Sequence, residues 1–543
     1  MIRNDLILFA LELFLCLLLY FIAGFAEKNI SKKWRILYAV PIVICIFLTA
    51  LEGFESSMLG VYIGSVLLLA GFLREDKKTR RLSCVISAVL VLSALPVCLL
   101  NKGYRSISYT EDFKTAIGKM EQHYVLAKHK NIDFDALYDK YLPKFRQAEN
   151  NHDEVENCIA WLEFCSEFHD GHVNFTPNGS YEEMFTAAYN RVLGNDYGLS
   201  LMTLSDGTTA AVNVDPALNA QGIFNGTTIL SWDGKAPSEL GHDTVKYCMG
   251  ACDIDNENFW RTAFGAGEGG DSVTVAFLDE NGTEKTAVLP KTGEPYYTRL
   301  KASMDIIDQG IETGHLMWED INETTAALRI KMMMSDSESY QSGDHSALKL
   351  SLREKIDGLK ARGIETIIFD MRGNSGGSGD MVKALASLFA PEGTHFYCID
   401  GLWDDTAGGY AVDENGNYLK GTEVYFTGED IWNGREIILL VNSSAISAAD
   451  HLTKVMGQFD NVTVMGFTET NGSAQGVGGI KLESGFLSIS GSLLLDKDGG
   501  ILIDSGVDRQ SGNKLEITVP FDKNAVKALF DEDRDYLLEM AVK

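Results

Sequence analysis

The stretch Ile437–Asp450, IILLVNSSAISAAD, holds the residue best placed to do chemistry, Ser447. Ile437 to Asn442 form a short buried-strand pattern, and Ala448-Ala449-Asp450-His451-Leu452 opens a helix pattern that continues through Val455 and Met456. A serine at a strand-to-helix turn has unpaired backbone N–H groups beside it and the positive end of the helix dipole close by. That setting favours negative charge, so it suits a nucleophile and the oxyanion that its attack creates. It equally suits an N-cap, a role serine often fills. This stretch by itself leaves both roles open.

Two further groups belong with it. Met371–Asp380 reads MRGNSGGSGD and lies between the buried-strand pattern Glu365–Asp370 and a helix pattern from Met381 to Phe389. Strand, glycine loop and helix together bring backbone N–H groups close to a ligand. No Gly-Lys-Ser/Thr closes the loop, which argues against a Walker-type nucleotide site. In an open parallel sheet, neighbouring strand ends of this kind converge on one crevice. Glycine N–H groups beside a serine are what an acyl-transfer site needs. The second group is His172, just after the Asp170-Gly171 turn signal and just before the strand opened by Val173 and Phe175. It is placed to point into a cleft, or to cap or lie on the surface. His169 and His172 suggest no third metal ligand, and no zinc spacing occurs, so neither metal nor cofactor is expected.

These residues need elements to hold them. Residues 103–190 read as a small helical bundle: Phe113, Ile117, Met120 and Tyr124 make one stripe, and Phe134, Leu137, Tyr138 and Tyr141 another. Residues 191–292 change to short strands, with turns at Asp233-Gly234 and Asn281-Gly282, the second a hairpin signal. Their order, with Val212-x-Val214-x-Pro216 and Gly222-Ile223-x-x-Gly226-x-x-Ile229-Leu230, resembles a PDZ-type peptide-binding module, although Thr227 stands where such modules often carry Asp. Such a module adds a peptide to a sheet edge; a plain β spacer has the same texture. After a polar linker, residues 293–543 alternate strands and helices, an α/β core.

Length and charge bound the rest. The chain has 543 residues, enough for three or four domains, and a net charge of −29, which argues against nucleic acid as a partner. Residues 1–102 hold 11 Lys/Arg and 7 Asp/Glu, leaving 36 basic and 69 acidic residues beyond them. Four apolar runs, Leu6–Ala26, Ile36–Leu51, Met58–Leu73 and Leu82–Leu100, predict four transmembrane helices within residues 1–102. Lys28, Lys32, Lys33 and Arg35 in the first loop, and Arg74, Lys77, Lys78, Arg80 and Arg81 in the third, predict that those loops are cytoplasmic. Both termini and everything after Asn101 would then lie outside, on a multi-pass cell-membrane protein whose spans act as an anchor. Glu12 is the one mid-membrane charge, too little for a transporter. Of nine cysteines, five fall beyond the runs; Cys248 could pair with Cys252 and Cys158 with Cys165, or all could be buried thiols.

Three motifs then stand in a fixed order. Asp370-Met371-Arg372-Gly373-Asn374-Ser375-Gly376-Gly377, then Asn442 with Ser447-Ala448-Ala449-Asp450, then Gly466 with Thr470-x-Gly472, resemble the C-terminal processing peptidases and their tricorn-core relatives. The resemblance covers residues 108 to 543 and implies a crotonase-like catalytic core that hydrolyses peptide bonds of proteins or peptides. By it, Ser447 is the nucleophile, and the N–H of Ala448 with one from Gly373, Gly376 or Gly377 forms the oxyanion hole. One branch uses a lysine about 25 residues after the serine, where this chain has Gly472; Lys481 is a poor substitute. The tricorn-like branch uses a histidine, matched by His172, supported by a serine and a glutamate. Gly171 stands at the helper serine's place, and Asp504, before Ser505-Gly506-Val507, is the nearest match to the glutamate. The missing helper and the aspartates at 450 and 504 motivate an alternative, a decayed peptidase scaffold that binds peptides or ligands.

Overall fold

The computed structural model describes residues 59–73, 76–101 and 108–543, apart from 248–253, 310–315 and 505–511 and residue 407, with short stretches between 13 and 46. The chain forms two compact units, Met1–Ser108 and Tyr109–Lys543. In the first, α1 (Leu59–Phe72) and α2 (Lys77–Asn101) lie against each other, and Ser87 Oγ donates to the Gly64 carbonyl at 2.9 Å.

The four expected transmembrane helices are overturned here. Among the described residues no helix is long and apolar enough to cross a membrane. The third apolar run yields only the 14 residues of α1, about 21 Å of helix against roughly 30 Å of hydrocarbon. α2 carries Lys77, Lys78, Arg80 and Arg81 within its own first turns. The runs Leu6–Ala26 and Ile36–Leu51 lie largely outside the described residues. The multi-pass location, with both termini and the peptidase part outside, falls with the spans it was built on. Apolar composition was read as lipid contact, whereas α1 and α2 turn part of theirs, including Val61, Leu68 and Val91, into protein interior.

The second unit opens with α3 (Tyr109–His123), α4 (Phe134–Asn151) and α5 (Glu154–Ser166), then β1 (Asn174–Pro177) and α6 (Tyr181–Val192). The stripes read from the sequence meet where Phe113 stacks on Tyr138 with centroids 6.0 Å apart; Phe113 also stacks on Phe145 at 4.5 Å, and Trp161 lies flat on Phe175 of β1 at 4.9 Å. Asp133, Asp153 and Ser180 cap α4, α5 and α6 with side-chain oxygens. Cys158 and Cys165 are free buried thiols, and the Cys248–Cys252 pairing lies outside the described residues.

A five-stranded antiparallel sheet follows, β2 (Ser200–Thr203), β3 (Thr209–Val212), β4 (Thr228–Trp232), β5 (Ser272–Leu278) and β6 (Glu284–Pro290), in that spatial order. A 3₁₀ turn, Pro216–Gln221, sits between β3 and β4, and α7 (Ile254–Gly265) between β4 and β5. Asn281-Gly282 joins β5 to β6 as a hairpin, pairing Leu278 with Glu284. The polar linker then proves structured: it holds α8 (Tyr296–Ile307), whose Tyr296, Leu300, Ser303 and Ile307 bury one stripe, and β7 (Leu316–Asp320).

The rest is the α/β core. Its elements are β8 (Thr325–Ile330), α9 (Ser337–Ser342), α10 (Ser346–Ala361), β9 (Thr366–Asp370), α11 (Gly379–Phe389) and β10 (Gly393–Gly401). The short hairpin β11 (Trp403–Asp404) and β12 (Gly409–Tyr410) precedes β13 (Lys420–Gly428), β14 (Glu436–Val441), α12 (Ala448–Met456) and β15 (Val462–Gly466). β16 (Gly476–Lys481), β17 (Gly485–Ser492), β18 (Leu494–Leu495), β19 (Ile517–Thr518), α13 (Lys523–Phe530) and α14 (Tyr536–Ala541) complete it. The main sheet runs β19-β15-β14-β9-β8-β7, parallel except at β7. Its inner strands are mostly apolar because both faces are covered. Ile437, Leu439 and Val441 face α10, α11 and α12, whereas Ile438 and Leu440 face Leu537 and Leu538 of α14. β9 and β14 are direct neighbours, so the glycine loop and the Ser447 turn leave adjacent strand ends on one edge. A second sheet, β1-β17-β16, brings the bundle's exit strand against the core.

Candidate active site

Ser447 occupies the N-cap position of α12 without doing the work of a cap. Its φ of 62° and ψ of −117° are sparsely populated for a residue with a side chain, and its Oγ makes no cap hydrogen bond. Backbone strain of this kind costs roughly 1–3 kcal/mol and persists where the surroundings impose it. Here they do: the Ser447 N–H donates to the Ser473 carbonyl at 2.8 Å, and Ile446 N–H to the Asn374 carbonyl at 3.0 Å. A strained serine hydroxyl held at a strand-to-helix turn and spent on no neighbour is the geometry of a nucleophile elbow.

The glycine loop touches this turn directly. A Cβ added at Gly376 would lie 2.6 Å from Ser447 Cβ, so only glycine lets the loop come this close. Asn374 shapes the loop from inside: its Nδ2 donates to the Ile330 carbonyl at 2.7 Å and its Oδ1 accepts from Gly376 N–H at 2.9 Å. Gly373 N–H is likewise engaged, by Asn442 Oδ1 at 3.1 Å. Of the three glycine N–H groups read from the sequence, that of Gly377 therefore has no acceptor among the described residues, and neither has the N–H of Ala448. Gly376 gives its carbonyl to Met333 N–H at 2.7 Å, which turns the trans-peptide Gly377 N–H away from Met333.

Beneath the loop lies a buried ion network. Arg372 is 1% exposed and grips Asp370 with Nε and Nη2 at 2.8 and 2.7 Å, and Asp535 with Nη1 and Nη2 at 2.7 and 2.6 Å. Burial alone would raise the Asp370 carboxyl, but the Arg372 charge and hydrogen bonds hold it below the usual range. The Asp-x-Arg of the loop thus acts as a foundation.

His172 reaches the site from the bundle. The Gly171 N–H donates to Ser473 Oγ at 2.9 Å, and Ser473 is the residue whose carbonyl holds Ser447 N–H. A Cβ at Gly171 would strike Ile446 Cδ1 at 2.4 Å and Asn471 Oδ1 at 2.7 Å, which is why the helper serine has no room there. His172 is 6% exposed, and its Nε2 has no hydrogen-bond partner among the described residues. Nδ1 lies 3.4 Å from Ser490 Oγ on β17, and Ser490 Oγ donates to Asp170 Oδ2 at 2.7 Å. With the serine proton on Asp170, His172 carries its proton on Nδ1 and keeps a lone pair on Nε2, the state a general base needs. Asp170 is further tied by the His172 N–H at 2.9 Å and Tyr124 OH at 3.1 Å. Burial pulls the imidazole below its usual value of 6.5, and the Asp170 charge partly restores it. No hydrogen bond joins His172 to Ser447.

Asp504 lies next to Ser473, with which its backbone forms an antiparallel bridge, and its carboxylate pairs with Lys130 Nζ at 3.2 Å in a buried ion pair; its Ser505-Gly506-Val507 flank lies outside the described residues. An acid and a hydroxyl within hydrogen-bond reach of His172 are Asp170 and Ser490. Asp170 was in view as a turn residue; Ser490, over three hundred positions downstream, carried no local signal. Asp450, in the place of the family's Glu, is also a positioning group. Burial pushes its carboxyl up to about 7, and it accepts from Gly472 and Ser473 N–H at 3.1 and 3.2 Å. Among the described residues no three His, Cys, Asp or Glu side chains are grouped to hold a metal.

Two cavities flank the elbow. One of about 350 Å³ holds Ser447 and is walled by Tyr397, Cys398, Val424 and Leu494, with Lys383 and Asp380 at its polar side. His451 also faces it, but its Nε2 is 3.2 Å from the Tyr397 carbonyl, and burial pushes its pKa to about 4. The other, about 540 Å³, lies past Ile446 where bundle, antiparallel sheet and core meet, and Asp308 lines it. Burial pushes the Asp308 carboxyl up to about 6.

No curated protein matches the chain in sequence. Residues 324–510 match the family described as Peptidase family S41. Among solved structures the chain is similar to mature CPAF complexed with lactacystin, with a TM-score of 0.50 at 14% identity over 80% of this chain and 97% of that one. A CPAF mutant gives a TM-score of 0.51 at 15% identity, over 80% and 98%. The photosystem II D1 C-terminal processing protease aligns over 79% of this chain and 99% of its own at 14% identity, with a TM-score of 0.32. The matched residues 324–510 hold the glycine loop, the Ser447 turn and Ser490, and the family they match is one of serine-type peptidases.

Proposed function

We propose that the chain is an endopeptidase in which Ser447 is the nucleophile and His172 the general base. In the proposed reaction His172 Nε2 takes the Ser447 proton as Oγ attacks a peptide carbonyl, and the N–H groups of Ala448 and Gly377 receive the developing oxyanion. His172 then returns the proton to the leaving amine, and water, activated by the same imidazole, releases the acyl group. The observation that carries the reading is the Ser447 elbow: a strained serine whose hydroxyl caps nothing, next in sequence to the Ala448 N–H and packed against the loop that carries the Gly377 N–H, both without an acceptor among the described residues. Asp170, acting through Ser490, takes the supporting place that the sequence offered to Asp504.

We assign residues 103–190 to a bundle that delivers His172, 191–292 to a PDZ-like module and 293–543 to the catalytic core. The five-stranded sheet β2–β6 has the strand number and short intervening helix that such a module needs, and it would present a polypeptide substrate to the cavity past Ile446. Substrates are then unfolded or tailed proteins. Ser447→Ala should abolish hydrolysis of a fluorescently labelled unfolded protein while leaving the melting temperature unchanged; undiminished turnover in that variant removes the proposal. A second reading, a peptide-binding protein on a peptidase scaffold, draws on the absence of a hydrogen bond between His172 and Ser447. It predicts saturable peptide binding with no Ser447-dependent turnover at any pH.

A further inference from the structure

A cavity of about 600 Å³ lies apart from Ser447, between α3, the loop after it, the β11–β12 hairpin and the β16–β17 pair. The reaction as described makes no use of it. Its basic side chains are Lys119, His123 and Lys128, and no Asp or Glu lines it. The chain holds 76 acidic residues against 47 basic ones, so a cavity lined by bases alone runs against the composition. Neither Lys119 nor Lys128 forms an ion pair with a described residue. The walls are the rings of Trp403, Tyr410 and Tyr418, and the floor is bare backbone at Gly478, Gly479 and Gly491. Trp403 is 47% exposed and meets Tyr410 edge-on at 5.2 Å. Exposed aromatic area beside unpaired cations suits an anionic partner with apolar content.

The floor favours a polypeptide over a small anion. β16 pairs only with β17 among the described strands, so its outer edge offers backbone N–H and C=O groups to an extended chain. The cavity also touches the supports of His172. Tyr124 lines it and donates its hydroxyl to Asp170; Val125, also in the lining, donates its N–H to the Ser490 carbonyl at 3.1 Å. Gly491 on the floor follows Ser490 directly.

We propose that this cavity binds an acidic stretch of polypeptide, and that its occupancy adjusts His172 through Tyr124 and Ser490. The coupling rests on His172 being the base; the binding does not. The test uses a capped hexaglutamate peptide and the full chain. Calorimetry on Ser447→Ala, which removes cleavage as a complication, should show saturable binding that weakens at least tenfold when Lys119→Gln and Lys128→Gln are added. Capped hexalysine should not bind. No saturable binding, or equal binding without the two lysines, overturns the site; citrate binding as tightly as hexaglutamate overturns the polypeptide assignment. On the chain with Ser447 intact, hexaglutamate should change turnover of a labelled unfolded protein at least twofold. That change should vanish in the Lys119→Gln/Lys128→Gln variant, whose basal turnover should match the parent. Binding without any effect on measurable turnover overturns the coupling. Absence of all turnover refutes the peptidase reading and leaves the calorimetric result to decide the site.

Discussion

Ser490→Ala is the most informative single change, because it cuts the support of His172 without touching Ser447 or the glycine loop. The hydroxyl stands between His172 Nδ1 at 3.4 Å and Asp170 Oδ2 at 2.7 Å, and it is fully buried, so water cannot replace it without space. Its loss leaves the Nδ1–H without an acceptor and removes the preference for the tautomer with the Nε2 lone pair. A buried donor left unpaired costs about 1–3 kcal/mol. If that cost falls on the transition state, in which His172 carries a full charge, kcat drops roughly 5- to 150-fold at about 1.4 kcal/mol per tenfold. The pH profile separates this from general damage. His172 must be neutral to act as base, so activity falls as pH drops through its pKa, and burial sets that acid limb below 6.5. The Asp170 charge raises the pKa, so Asp170→Asn should move the limb to still lower pH while lowering kcat. The assay is steady-state turnover of a labelled unfolded protein from pH 4.5 to 8.5, with thermal melts alongside. Unchanged kcat in Ser490→Ala, with the melting temperature held, would refute the relay.

Other outcomes follow from the same geometry. Asp504→Asn should lower the melting temperature by breaking the buried pair with Lys130, yet leave the acid limb of the pH profile where it is; a shifted limb would return Asp504 to the base. Gly376→Ala should cut activity by more than 100-fold, since its methyl would meet Ser447 Cβ at 2.6 Å and misplacements of about 1 Å can cost that much. Activity within threefold of the parent would contradict the close approach. Arg372→Met should destabilise by about 3–5 kcal/mol, because it removes four hydrogen bonds from the carboxylates of Asp370 and Asp535 and leaves them, among the described residues, only Arg329 as an ion-pair partner, at 3.2 and 3.9 Å. Chemical denaturation reads this, and a loss under 1 kcal/mol would show that the network is dispensable.

What could be read before folding was whatever had a local cause. The strand patterns of β9 and β14, the glycine loop and the Ser447 turn each rest on a few consecutive residues, and the main sheet makes β9 and β14 neighbours. Ser490 had no such signal: it matters only because β17 pairs with β1 two residues beyond His172, a register set by tertiary packing. Asp504 was read from its place before Ser505-Gly506-Val507 as the nearest match to the family's glutamate, and the fold also pairs its carboxylate with Lys130 from the bundle, which no local pattern foretold. The apolar runs near the start misled for a further reason: hydropathy reports the wish to leave water, and a neighbouring helix can satisfy it as lipid does. Segment 293–324 hid α8 because its stripe, Tyr296, Leu300, Ser303 and Ile307, mixes aromatic, aliphatic and hydroxyl side chains.

The most direct test is covalent. A fluorophosphonate probe reacts with a serine only when a base and an oxyanion site activate it. Labelling should occur on Ser447, disappear in Ser447→Ala and fall at least a hundredfold in His172→Ala. A chain that takes no label, or takes it equally well without His172, contradicts the account.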